Sequence, residues 1–452
     1  SAGYPQPGVP PLFNQILSTA GSVVDVNYKT PYGIQMNIGV QREVKSGLVL
    51  AVDYVRNRGV NFNIVRDRNR LGAADTLDVA IAQAAIATTV ADCGVADLAA
   101  VAALAAAGMP CPDPTFRGGP TSVTPDIPGM TDFSDRGLGA GSAVDGFAFR
   151  GMNPNFRDMG IIESIGLSLF QALQVRLNGN VGSWGPFKRI DTNLTYQLGR
   201  FESAGADQDF ISGAGFNDRP NQFFGPANFD RTHQVGISFL VELPWGFHIA
   251  TTNQFKTALP SSLFLLGTTF DADEIFYSDL DGDGVVEDPI TGVTPRGAFS
   301  RDVKADELNA VIDNYNSTVA GTVLPAGQAL ISAGLFTEAQ LISLGAVAVT
   351  VPNAPADQVN NDSFINSDIR ISNKIRLGER VTVEPMLEIF NLFNIANYGR
   401  LDSFLDGGPG SPNGTSKSVN VAEFGLTRFG QGSGSFSPGT LRAFQFGVRV
   451  TF

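Results

Sequence analysis

Strict alternation of apolar and polar residues constrains this chain more than any other feature. In LRAFQFGVRVTF, residues 441–452, every second position from Phe444 is apolar: Phe444, Phe446, Val448, Val450 and Phe452. Gln445, Gly447, Arg449 and Thr451 stand between them. A period of two is that of a β-strand with one greasy and one polar face. YGIQMNIGVQRE (32–43) sets Ile34, Met36, Ile38 and Val40 against Gln35, Asn37, Gly39 and Gln41. FQALQVRLNGN sets Leu173, Val175 and Leu177 against Gln174, Arg176 and Asn178. LVLAVDYV, IDTNLTYQLGRF, HQVGISFLVELPWG, FHIATTNQFK, SDIRISNKIRLG and VTVEPMLEIFNLFN repeat the pattern. This predicts about nine strands, most of them about ten to thirteen residues long. Strands of soluble proteins average about five to six residues, whereas a tilted strand crossing a bilayer needs about nine to eleven.

Period alone does not separate a soluble sheet, whose apolar face is a core, from a membrane barrel, whose apolar face meets lipid. Connection lengths do. The predicted strands join through short turns at 44–47, 182–187, 244–246 and 377–380. Long segments at about 59–165, 202–230, 258–365 and 395–440 alternate with them. Short turns at one rim and long loops at the other is the asymmetry of an outer-membrane barrel, periplasm on one side and cell exterior on the other. Trp184, Phe187, Trp245 and Phe247 fall near strand ends, where an interfacial girdle would lie. The expected fold is therefore all-β: an antiparallel transmembrane β-barrel portion over 32–452, with long extracellular loops containing short helices, after an extended segment at 1–31.

Composition agrees. A formal net charge of −13 excludes the basic stripe that nucleic-acid binding requires. The most apolar stretch, 79–108, is mostly Ala and carries Asp92 and Asp97, so it makes a poor membrane helix. The chain begins with Ser and shows no signal peptide, which is expected of a processed chain or a fragment. The two cysteines, Cys93 and Cys111, flank ADLAAVAALAAAGMP. If this is a helix with a turn on each side, the thiols can meet as a loop disulfide; otherwise they stay unpaired.

Several stretches resemble one family, the Oar-like TonB-dependent outer-membrane receptors with a carboxypeptidase-regulatory-like domain. They are YGIQMNIGVQREVKSGLVLAVDYVRNRG, FQALQVRLN, NFDRTHQVGISFLVELPWG (228–246), LFTEAQLISLGAV (335–347), SDIRISNKIRLGERVTVEPMLEIFNLFNIANY (367–398) and the terminal FQFGVRVTF. The resemblance implies a 22-stranded barrel closed around a plug and energised by a TonB-type complex. Such a barrel moves a substrate across the outer membrane of a Gram-negative cell. A plug and further N-terminal strands would precede this region in the family; 1–31 is too short for a plug. The expected partners are thus the N-terminal part of the same barrel with its plug, the TonB-type complex and the lipid bilayer. The alternating last strand, Phe444 to the terminal Phe452, resembles the signal read by the outer-membrane assembly machinery. A structural or adhesive surface barrel and a passive porin are the alternatives.

The sharpest local motif is SDLDGDGVVEDP (278–289). Asp279, Asp281, Asp283 and Gly284 match the first half of a D-x-D-x-D-G calcium loop. Closely spaced carboxylates repel unless a hard cation neutralises them. The Val285 carbonyl is the expected backbone ligand. Ile290 stands where the loop's bidentate Glu belongs, so Glu287 or Asp288 is the expected substitute. The expectation is a structural Ca²⁺; a solvated acidic loop is the bland alternative. Segments 72–107, 303–315 and 325–345 read as helical. His233 and His248 lie at opposite ends of a predicted hairpin, and no nucleophile–base set is spelled out, so no enzyme activity is expected.

Overall fold

The computed structural model describes 23–116, 127–141, 145–204 except Trp184, parts of 212–260, 264–265, 272–290 except Glu287, 305–351, 353, 363–395, 397, 404–405 and 441–452. Nine long strands form one sheet: β1 (Tyr32–Lys45), β2 (Leu48–Asp67), β3 (Gly160–Val181), β4 (Arg189–Ser203), β5 (His233–Glu242), β6 (Phe247–Lys256), β7 (Phe364–Asn373), β8 (Val381–Phe390) and β9 (Ala443–Thr451). Each pairs antiparallel with the next in sequence, an up-and-down meander with no crossover. The sheet does not close: among the described residues β1 and β9 each keep one unpaired edge.

Register shows why alternation is the governing signal. Val40, Val52, Val175, Tyr196, Val235, Phe255 and Ile365 are successive partners across seven strands, one continuous apolar row. One residue away, Gly39, Asp53, Gln174, Gln197, Gln234 and Lys256 form the matching polar row. A slip of one residue would exchange the two faces. No second layer covers the apolar row on β1, where Ile38 is 72% and Val40 71% exposed.

Two expected boundaries are corrected. The first long connection is not 59–165: β2 runs on to Asp67 and β3 starts at Gly160. The ladder continues through Arg56 and Arg58, with register shifts around Phe62 and a left-handed Asn61 (φ 62°). At 20 and 22 residues these strands outrun the apolar band, which about ten residues cross. Their outer halves stand clear of the membrane, where Arg66 and Arg68 pair with the buried Glu163. The strand predicted across 367–377 breaks at Lys374 and resumes at Ile375–Leu377. Lys374 N donates to Gly246 O of the neighbouring turn (2.8 Å), an inter-hairpin bond that replaces the ladder there.

At the opposite rim the connections fold into a cap. Helices α1 (Val79–Cys93), α2 (Leu98–Ala107) and α3 (Met130–Asp135) come from the β2–β3 connection. Helices α4 (Ala305–Thr318), α5 (Pro325–Ser332) and α6 (Glu338–Ser343) come from β6–β7. Asp78 and Asp97 accept backbone N–H groups at the starts of α1 and α2, and left-handed Gly94 and Gly108 end them. The segment 325–345, read as helical, forms two helices separated at left-handed Gly334 (φ 70°). α3 carried no periodic signal, being only six residues long. Both connections share one core: Phe133 meets Phe336 edge-on at 5.5 Å, and Phe149 meets Phe276 at 5.8 Å. No single described helix is long and apolar enough to cross a membrane. α1 with α2 would be by length and composition, but the pair bends by 60° and contributes residues to this core.

Cys93 and Cys111 form a disulfide at the edge of that core, both nearly fully buried. It closes a loop with a sequence separation of 18. Its removal in a Cys93→Ser, Cys111→Ser double variant is expected to cost the cap on the order of 2–3 kcal/mol. Faster proteolysis within 79–116, with unchanged cleavage elsewhere, is the result that checks this.

Candidate functional site

The polar face of the meander is a wall of amides and hydroxyls. Gln174 Nε2 donates to Gln197 Oε1 at 3.0 Å, and Asn193 Nδ2 to Asn178 Oδ1 at 2.6 Å. Asp53, Gln174, Arg176, Asn193, Gln197, Gln234, Gln254 and Lys256 line a recess of about 420 Å³ in this wall. Toward the chain's end the face becomes ionic. Glu384 accepts from Ser372 Oγ at 2.8 Å and lies 3.8 Å from Arg370 and 4.0 Å from Arg449. Arg370 also reaches Glu388 at 3.8 Å. The mixed charge of Arg370, Glu384 and Glu388 is thus largely spent within the wall. Lys374 sits at the break beside the short-turn rim. Gln174, Gln197 and Gln234 were legible as polar-face residues, but their assembly into one row follows only from register.

The acidic loop lies above, in the β6–β7 connection. Carboxylate oxygens of Asp279, Asp281 and Asp288 fall within 4.8 Å of one another. Asp283 does not join them: its oxygens accept the N–H groups of Val285 (2.9 Å) and Asp218 (3.3 Å). Val285 is half-buried beside the cluster, and Glu287 lies outside the described residues. Asp279 accepts from Gly282 N (2.6 Å) and Gly284 N (3.1 Å), and Asp288 Oδ2 from Leu280 N (2.7 Å). Burial pushes the Asp279 carboxyl up to about 8 and the Asp288 carboxyl up to about 9. Burial, then the charge of Asp283, raises that of Asp281. Asp279 and Asp288 therefore hold protons at neutral pH when no cation is bound. Both folded values lie above the ordinary 3.8, so the folded loop binds more protons than the unfolded one between them. In a chelator its stability falls as pH rises from about 4 through 8–9. Loop proteolysis in chelator is expected to be faster at pH 9 than at pH 5.

The histidines serve locally: His233 Nδ1 meets Tyr196 Oη at 2.9 Å, and His248 Nδ1 lies 3.0 Å from Gly246 O. They stand at opposite ends of the β5–β6 hairpin, as expected. Trp245 (86% exposed) and Phe247 stand at the short-turn rim, while Trp184 lies outside the described residues. Phe444, Phe446, Val448 and Val450 line one exposed face of β9, and Phe452 is 96% exposed at the same rim, next to Thr451, which pairs with Thr382.

A single meander with bilayer-length strands, one apolar and one polar face, tight turns at one rim and folded loops at the other is the wall of a transmembrane β-barrel. Residues 1–261 match the family described as "Outer membrane beta barrel domain", more than half of the 452-residue chain. The chain belongs to that family, and it resides in the bacterial outer membrane. Among solved structures it is similar to the outer membrane transporter YddB from Escherichia coli, at 8% identity and a TM-score of 0.39, over 94% of this chain and 33% of that one. The chain thus spans about a third of that transporter's length. No curated protein matches it.

Proposed function

We propose that this chain is the C-terminal wall of a TonB-dependent transporter of the Oar-like type, a barrel of about 22 strands closed around a plug. The open sheet carries the reading. Unpaired N–H and C=O groups at a strand edge cost several kcal/mol each in hydrocarbon, yet among the described residues β1 and β9 both present such an edge. Further strands must therefore pair with them, and an N-terminal barrel portion with its plug is the partner that fits. The amide-rich wall supports the reading too, since it suits the hydrogen-bonded seat of a plug. A TonB-type complex would supply the energy, and the strand ending in Phe452 would deliver the chain to the assembly machinery. The compact cap favours a second reading, a surface barrel whose loops hold a neighbouring protein.

Planar-bilayer conductance of the complex purified from native outer membranes, with a peptide map of its components, tests the proposal. A plugged transporter is closed, and the map contains strands that pair with β1 and β9 and a plug. Steady open conductance with no plug peptides would make the protein a porin and overturn the proposal. A closed barrel that co-purifies stoichiometrically with a surface protein but lacks a plug would favour the second reading. Phe452→Ala is expected to lower the amount of folded protein in the outer membrane several-fold at unchanged synthesis, read by heat-modifiable electrophoretic mobility.

A further inference from the structure

We propose that Asp279, Asp281 and Asp288 bind a calcium ion that pins three extracellular connections together. Two independent observations meet at this point. The first is the convergence of three carboxylates within 4.8 Å, the span of oxygens lying about 2.4 Å from a common centre. The second is an orphan: Asp288, 1% exposed, has one buried carboxylate oxygen, Oδ1, with no hydrogen-bond partner. Leaving a buried acceptor unsatisfied is costly, and a cation beside it removes the cost. Among the described residues no protein cation takes that place. Arg219 approaches only Asp281, at 3.8 Å, from a side chain 65% exposed.

The donor set selects the ion. Every side-chain ligand is a carboxylate oxygen, which disfavours zinc and copper. Irregular backbone offering several oxygens suits calcium better than magnesium, which demands a tight octahedron and keeps its water. Gly282 (φ 77°) and Gly284 (φ 90°) give the backbone the left-handed turns that fold Asp279 and Asp281 back toward Asp288.

The position gives the ion a job. The acidic loop belongs to the β6–β7 connection, but its neighbours do not. Ala74 N, from β2–β3, donates to Gly282 O at 2.9 Å. A Cβ on Gly284 would stand 2.4 Å from Leu71 O of that same connection. Asp218 and Arg219, from β4–β5, reach Asp283 and Asp281. Arg70 ties two of these connections by pairing with Asp218 (3.1 Å) and Asp75 (2.8 Å). Without a cation nothing ties the oxygens that meet at this junction; with calcium the three connections hold one arrangement over the outer rim.

The test uses the complete protein purified from outer membranes, stripped with EGTA and titrated with calcium or magnesium. Limited trypsin digestion reads the bonds after Arg68 and Arg70, in the β2–β3 connection that abuts the acidic loop. Calcium is expected to slow these cleavages about 10–100-fold, half-maximally at about 10⁻⁴–10⁻³ M, the range of extracellular calcium modules. Magnesium at equal concentration gives no such protection. Asp281→Asn, at an exposed position that does not endanger folding, and Asp288→Asn both lose the calcium response. Asp306→Asn, an exposed carboxylate on α4, keeps it. Equal cleavage with and without calcium in the wild-type protein overturns the proposal. So does a full calcium response in Asp281→Asn, or protection by magnesium equal to that by calcium.

Discussion

Replacing Val175 by Arg is expected to destabilise the folded barrel by about 2–4 kcal/mol, while Arg at the adjacent Gln174 costs under about 1 kcal/mol. Val175 sits in the apolar row, flanked by Val52 and Tyr196; Gln174 sits in the polar row, flanked by Asp53 and Gln197. A guanidinium on the first face enters hydrocarbon, and on the second it enters an aqueous lumen. The cost should also depend on depth. Ile190 is the second residue of β4, near the short-turn rim, and Ile190→Arg should cost only about 0–1 kcal/mol because the side chain reaches the headgroups. Reversible urea unfolding in lipid vesicles measures all three. A buried protein core would penalise Ile190→Arg as heavily as Val175→Arg, so equal costs would contradict the lipid assignment.

Phe276→Ala is expected to cost the cap about 3–5 kcal/mol, the penalty for emptying a fully buried aromatic site. Phe276 is 0% exposed, packs edge-on against Phe149, and joins the β6–β7 connection to the β2–β3 one. The strands do not share this core, so the loss should stay local. Amide exchange within α1, α2 and α5 should accelerate by a factor of about 10²–10⁴, the equivalent of the lost stability, while the ladder from β3 to β6 keeps its protection. Equal acceleration in cap and ladder would mean that the two unfold as one unit.

The sheet was legible in the sequence because a lipid-facing wall is the simplest environment a strand can meet. One face sees only hydrocarbon, so alternation in a segment such as FQALQVRLNGN is nearly unbroken. The turns were legible for a similar reason, since Gly47 and Gly246 adopt the left-handed backbone that tight connections need. Legibility stopped where the strands left the membrane. Beyond Tyr54 the apolar alternation of β2 gives way to Arg56 and Arg58, although the strand runs on to Asp67. The cap core was hidden because its members come from connections far apart in sequence; nothing local announces that Phe149 meets Phe276. The acidic motif was visible from its spacing, but which carboxylates converge was not. Asp283 turns to cap backbone N–H groups, and Asp288 reaches back across the loop. The neighbours Arg70, Asp218 and Arg219 carry no signal of their own.

The central claim is that lipid solvates the apolar rows. The disulfide leaves no free thiol in the described chain, so single cysteines placed from Ala172 to Asn178 of β3 can carry a fluorophore in native outer membranes. A lipid-confined quencher should extinguish probes at positions 173, 175 and 177, and an aqueous quencher those at 174, 176 and 178. Probes at 173, 175 and 177 that are shielded from both quenchers would place the oily face inside a protein core and contradict the outer-membrane wall.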